Sequence, residues 1–94
     1  MDIERFVELL AVQKCIEYFI NGKGLDEHNS IQIVYATIKD DTVVIAGEKE
    51  DYLEIGIDEI TDIIYLPEED LIKVIRENDE INIIYYSPGD KEVF

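Results

Sequence analysis

Tryptophan is absent from this 94-residue chain, and cysteine, histidine and methionine occur once each. The lone Cys15 excludes an internal disulfide. With His28 as the single imidazole, Cys15, Ser30 and Ser87 have no evident base to activate them, so no nucleophilic site is assigned. Apolar runs are short: none reaches the roughly 18 residues of a membrane-spanning helix, and no leader with an apolar core and cleavage site is present. A soluble, cytoplasmic protein that meets no membrane is the expectation. Bases are scarce as well, eight Lys and Arg against 23 Asp and Glu, for a net charge of −15. Nucleic acid is bound by releasing counterions through Lys and Arg contacts, so direct nucleic-acid binding is not expected, and anionic membranes are repelled by the same surface.

What is present is apolar material and carboxylates. Apolar residues make up 47% and charged residues 33%, a globular balance that supports one domain over residues 1–94 with a core of its own. The charge is unevenly spread. Residues 1–39 carry six acids and four bases, whereas residues 40–94 carry seventeen and four. From Asp40 to Asp70, strand-like apolar runs alternate with twelve acids, and Lys49 is the only base.

Taken in order, Asp2 is placed to cap a helix over residues 3–20, with Asn21 and Gly22 as its stop. At about 100° per residue its apolar stripe changes face midway. Leu9, Val12, Ile16, Phe19 and Ile20 form one seam, and Ile3, Phe6, Val7 and Leu10 form a second patch that needs a cover. That cover is either a segment of the same chain or a second copy in a homodimer. Residues 21–30 read as a loop containing His28. Ile31–Lys39 and Thr42–Ala46 read as a hairpin about Asp40 and Asp41, with both faces of the first strand partly apolar. Gly47–Asp51 turns the chain into Tyr52–Ile57, where Leu53, Ile55 and Ile57 alternate with Tyr52, Glu54 and Gly56. Asp62–Leu66 is a short further strand. Pro67 with Glu68, Glu69 and Asp70 then signals a second helix, with Leu71, Ile72, Val74 and Ile75 on its apolar side and Asn78 as its close. Glu80–Tyr86 is the C-terminal strand, followed by a turn at Ser87–Asp90 and a tail, Lys91–Phe94, suited to an edge pairing.

The fold class is therefore α+β: an N-terminal helix, a mostly antiparallel meander of three to four strands, a second helix and a C-terminal strand. Residues 31–66, with short bent strands after an N-terminal helix and the closing pattern IDEITDIIYL, resemble the small barrels of SH3-like and Sm-like proteins. The resemblance implies a small barrel and carries no function across. Sm-like RNA binding would need basic or aromatic loops, and the loops here are acidic.

Carboxylates cluster at Asp40 with Asp41, Glu48 with Glu50 and Asp51, Asp58 with Glu59 and Asp62, Glu68–Asp70, and Asp79 with Glu80. Each cluster falls at an expected turn or cap, where Asp and Glu are locally favoured. No EF-hand spacing is present, His28 with Asp26 is too few ligands, and Asn21–Gly24 lacks the phosphate-loop spacing, so no metal, cofactor or catalytic residue is assigned. Six tyrosines remain. By alternation Tyr52 and Tyr86 point away from the core, and Glu54 and Asp58 share the outward face with Tyr52. The expected function is a non-catalytic interaction module that binds a basic protein through Tyr52, Glu54, Asp58 and Tyr86, with Ile3, Phe6, Val7 and Leu10 as a candidate dimer patch. The alternatives are an acidic mimic of nucleic acid that occupies a nucleic-acid-binding protein, and a divalent-cation-binding or enzyme subunit.

Overall fold

Asp2 starts the first helix as the sequence predicts, its carboxylate accepting the Arg5 amide at 2.8 Å and satisfying one of the donors that a helix start leaves open. The structure is a computed structural model that describes residues 1–22 and 25–86. Helix α1 (Ile3–Ala11) spans nine residues and not eighteen. Gln13, buried, turns its side-chain amide back onto the Leu9 carbonyl at 2.8 Å and closes the helix end. From Cys15 the chain is strand β1 (Cys15–Gly22). The change of face in the apolar stripe marks this switch of period. Ile16 and Tyr18 are buried, while Glu17 and Phe19 alternate outward between them, a spacing of two and not 3.6.

Of the expected loop at residues 21–30, the described residues 21–22 and 25–30 are strand. β2 (Leu25–Lys39) pairs residue by residue with β1, His28 opposite Phe19 and Ser30 opposite Glu17. The phosphate-loop comparison at residues 21–24, the Ser87–Asp90 turn and the tail fall partly or wholly outside the described residues. β2 then leaves β1 and pairs with β3 (Thr42–Gly47) through a two-residue turn at Asp40 and Asp41. Both turn residues have positive φ, 49° and 60°, as the tight turn that matches strand twist requires. A register shift between Ile33 and Tyr35 places Val34 as an extra residue. Ile31 is buried before this bulge, and Ala36 packs against the core after it, whereas Tyr35 is 51% exposed.

β4 (Tyr52–Gly56) completes this meander. Its entry turn crosses close to β2: a Cβ on Gly47 would lie 2.7 Å from Ile31 Cγ2. A 3-10 turn, Ile57–Glu59, leads to β5 (Ile60–Leu66). The second helix gives way to one more 3-10 turn, Pro67–Glu69, and strand β6 (Leu71–Arg76). Asp70, at φ 53°, reverses the chain between them. Ile72 and Val74 point into the core while Leu71, Lys73 and Ile75 alternate outward. β7 (Asp79–Tyr86) returns to pair with both β6 and β1. Among the described residues the architecture is thus one seven-stranded antiparallel sheet in the order β4-β3-β2-β1-β7-β6-β5 with a single α-helix, at the N-terminal end. It replaces the expected α+β layout with two helices, and it has more strands than the small SH3-like or Sm-like barrel. Among the described residues β4 and β5 are the two ends of the sheet and do not pair.

All seven strands send alternate residues into one core, with Val43, Ile45, Ile55, Ile72, Val74, Ile81 and Ile83 fully buried. Phe6 and Leu10 of α1 are fully buried in the same cluster, and Ile3 and Val7 pack against it. The patch offered for a dimer is therefore covered by the chain's own sheet, the first of the two covers the sequence left open. A Phe6→Ala variant will lose about 3–5 kcal/mol of unfolding free energy, as expected for emptying a core position. Urea denaturation measures this, and a loss below about 1 kcal/mol would show that Phe6 is a surface residue.

Candidate functional site

The register of β2, β3 and β4 decides what their outward face presents. Tyr35 lies opposite Ala46, and Ala46 opposite Tyr52. Directly opposed residues share a face, so two tyrosines flank one small side chain at about 10 Å, two strand spacings. Tyr35 is 51% and Tyr52 60% exposed. The next row is Thr37, Val44 and Glu54, with Glu54 exposed beside Tyr52. Strict alternation puts Tyr35 on one face with Ile31, Ile33 and Thr37, because the bulge at Val34 has no local signature. The turn at Asp40 and Asp41 does hold the answer. It sets Ala36 opposite Ile45, and once Ile45 faces the core, Ala36 must too and Tyr35 must face out.

The hydrogen bonds of β4 fix which way its backbone points. Gly47 N–H donates to the Asp51 carbonyl at 2.7 Å and Ile57 N–H to the Asp41 carbonyl at 2.9 Å. These pairs are in register with Ile45 opposite Leu53 and Val43 opposite Ile55. Bonded and non-bonded pairs alternate in an antiparallel ladder. The N–H and C=O groups of Tyr52, Glu54 and Gly56 therefore point away from β3, toward the open edge.

Carboxylates stand at both ends of this edge. Glu48, Glu50 and Asp51 occupy the turn that enters β4 and Asp58 and Glu59 the turn that leaves it, with Asp41 tied to the latter through Ile57. Across residues 39–59, eight acids meet Lys39 and Lys49 alone. Behind the exit turn Arg76 donates from Nε and an Nη to Asp79 at 2.6 Å each, and stands 3.9 Å from Glu59. The Asp79 hydrogen bonds, then its charge, hold the guanidinium protonated above its ordinary value. Asp58, Glu59, Arg76, Glu77 and Asp79 line an open hollow of about 260 Å³ there. Arg76 is engaged with its neighbours, so the acids at this corner stay in excess.

Tyr86 does not join Tyr52, Glu54 and Asp58; β3, β2 and β1 lie between their strands. It belongs to a separate outward cluster on β1, β2 and β7. The Tyr86 hydroxyl donates to Glu17 Oε1 at 2.6 Å, and His28 Nε2 sits 3.3 Å from Glu17 Oε2 while its ring stacks on Phe19 at 4.3 Å and 5°. The hydroxyl hydrogen bond first, and His28 second, hold the Glu17 carboxyl below the usual carboxylate range; the same bond raises the Tyr86 phenol. Burial is the largest cause of a raised Cys15 thiol, so this cysteine is not activated as a nucleophile. His28 is thus positioned by β2 pairing instead of lying in a loop. The side chain of Asp26, its suggested co-ligand, is outside those described.

The fold defines the class: two antiparallel meanders, β1–β4 and β5–β7, joined by the pairing of β1 with β7 into one seven-stranded sheet and packed with a short helix, with an aromatic and acidic outer face on its β4 end. No family model, curated protein or solved structure matches the chain. Among the described residues, no helix is long and apolar enough to cross a membrane, and no group of three or more His, Cys, Asp and Glu is placed to hold a metal ion.

Because the folded Glu17 value lies below the unfolded one, its interaction stabilises the fold when the carboxylate is ionised in both states and is lost as pH falls through the folded value. Tyr86→Phe will raise the Glu17 titration midpoint, read from its side-chain carboxyl carbon by NMR. The stability gap between wild type and variant will be largest at neutral pH and close on acidification; a Glu17 midpoint unmoved by the substitution would contradict this assignment.

Proposed function

We propose that this protein is a non-catalytic interaction module whose β2–β4 face binds a positively charged segment of another protein. The observation that carries this reading is the pair Tyr35 and Tyr52 flanking Ala46, with Glu54 beside them and carboxylate-bearing turns at either end of β4. Tyrosine offers large contact area at low entropic cost and an electron-rich face for Lys or Arg, while the carboxylates steer and hold the cationic heads. Acidic residues at strand ends stay hydrated in the free protein, so the like charges repel one another through water and salt until a cationic partner arrives. The grouping of carboxylates at turns, and not in an even row, suits a peptide better than a groove shaped for phosphates.

The test is fluorescence anisotropy with an Arg- and Lys-rich peptide across a salt series. Affinity will fall as ionic strength rises. Replacing Glu54 and Asp58 together by Lys will weaken binding about tenfold and flatten that salt dependence, two reversed surface pairs being worth about 1–2 kcal/mol. Equal binding of an acidic or uncharged peptide of the same length would sink the proposal.

A further inference from the structure

The outer face of β2–β4 ends at a strand with no neighbour. Along β4 the outward N–H and C=O groups of Tyr52 and Glu54, and the Gly56 N–H, have no partner among the described residues, while the Gly56 carbonyl opens the Ile57–Glu59 3-10 turn; β3 is the only strand beside β4. At the other end of the sheet the outward groups of one residue are occupied. On β5 the Ile63 amide donates to its neighbour Asp62 at 2.8 Å, and the Ile63 carbonyl accepts the Met1 ammonium at 3.2 Å. The middle of the β5 edge is therefore covered by the chain's own groups, and that of β4 has no such cover among the described residues. Open edges are sites where a strand of another chain can add, and proteins usually block them.

Resting on the reading above, we infer that the partner binds as an added strand: an extended segment carrying Lys or Arg at alternate positions pairs its backbone with Tyr52, Glu54 and Gly56 of β4. Three features select this occupant. β4 is five residues long, about 17 Å of ladder at about 3.4 Å per residue, which suits a short extended peptide. Alternate side chains of the added strand share the face of Tyr52 and Glu54, where cationic residues meet a carboxylate and an aromatic ring; the others lie on the side of Leu53 and Ile55 and are apolar. The acids at both ends of β4, Glu48, Glu50 and Asp51 on one and Asp58 and Glu59 on the other, extend the match beyond the strand itself. A second copy of this chain is a poor occupant, because each copy carries −15.

The experiment uses the full chain and a blocked ten-residue peptide of alternating Arg and Val, followed by NMR titration and amide hydrogen exchange. At saturating peptide the Tyr52, Glu54 and Gly56 amides are expected to exchange at least tenfold more slowly. Two further peptides, N-methylated on the arginines or on the valines, are expected to separate: the series whose amides face β4 loses binding at least tenfold and the other retains it. Glu54→Pro, which removes an outward N–H, is expected to bind more weakly than Glu54→Gln, which loses the same charge; melting curves confirm that both are folded, and the peptide series decides the matter if the proline variant is not. Salt-sensitive binding with unchanged exchange at these amides, and no difference between the N-methylated series, overturns strand addition while leaving the basic-partner reading intact. No binding of the Arg–Val peptide at low ionic strength overturns both.

Discussion

Fifteen-residue β2 has to serve two partners, and the rest of the architecture depends on how it does so. Its first part pairs with β1 and its last part with β3, and no residue of the described ladder pairs with both. The bulge at Val34 lies where one pairing hands over to the other. An extra residue in one strand bends it, increases its twist and reverses which side chains face inward. That reversal keeps Ile31 and Ala36 on the same core although five residues, an odd number, separate them. Without it either Ile31 or Ala36 would turn to solvent, and the β3–β4 meander would present its apolar side outward. The same geometric step exposes Tyr35, so the candidate interaction face is a by-product of how the core is closed.

Electrostatics complements this packing. The inward face of the strands is almost wholly Ile, Val, Leu and Tyr, and the Ile residues that dominate it fill a β-sheet core well because their branched side chains are stiff and suit the pleat. The carboxylates fall at turns, where their hydration costs nothing and positive φ at Asp40, Asp41, Glu50 and Asp70 is tolerated. Arg76 is the exception that proves useful: half enclosed, it holds Asp79 across the β6–β7 turn and faces Glu59 from the β4–β5 turn, joining two corners that would otherwise repel. The surplus negative charge is left around β4, a sheet end whose Tyr52 and Glu54 outward groups have no partner among the described residues.

Much of the fold was legible where its causes are local. The turn at Asp40 and Asp41, the strand at Tyr52 with Leu53 and Ile55 inward, and the final strand with Ile81, Ile83 and Tyr85 inward all follow from alternation and turn residues. Two of the failures, a helix to Ile20 and a helix from Pro67, share a cause. Cys15–Ile20 and Leu71–Arg76 contain apolar residues spaced both for a helix stripe and for one side of a strand, and such short runs do not choose between the two periods. Each was settled by neighbours on both sides: β1 lies between β2 and β7, and β6 between β5 and β7. A helix in either place would have left those neighbours with unpaired backbone groups.

For the candidate site the division is similar. Charge pattern and alternation alone placed most of the acids at turns and set Tyr52 and Glu54 on one outward strand face. Only the tertiary structure decided that Tyr35 joins them, that Tyr86 belongs with Glu17 and His28 elsewhere, and that among the described residues β4 ends the sheet without a neighbour while Ile63 of β5 is covered by Met1 and Asp62. The physical reason is range: side-chain alternation is set by neighbours in the chain, whereas register, bulges and sheet edges are set by hydrogen bonds between residues far apart in sequence.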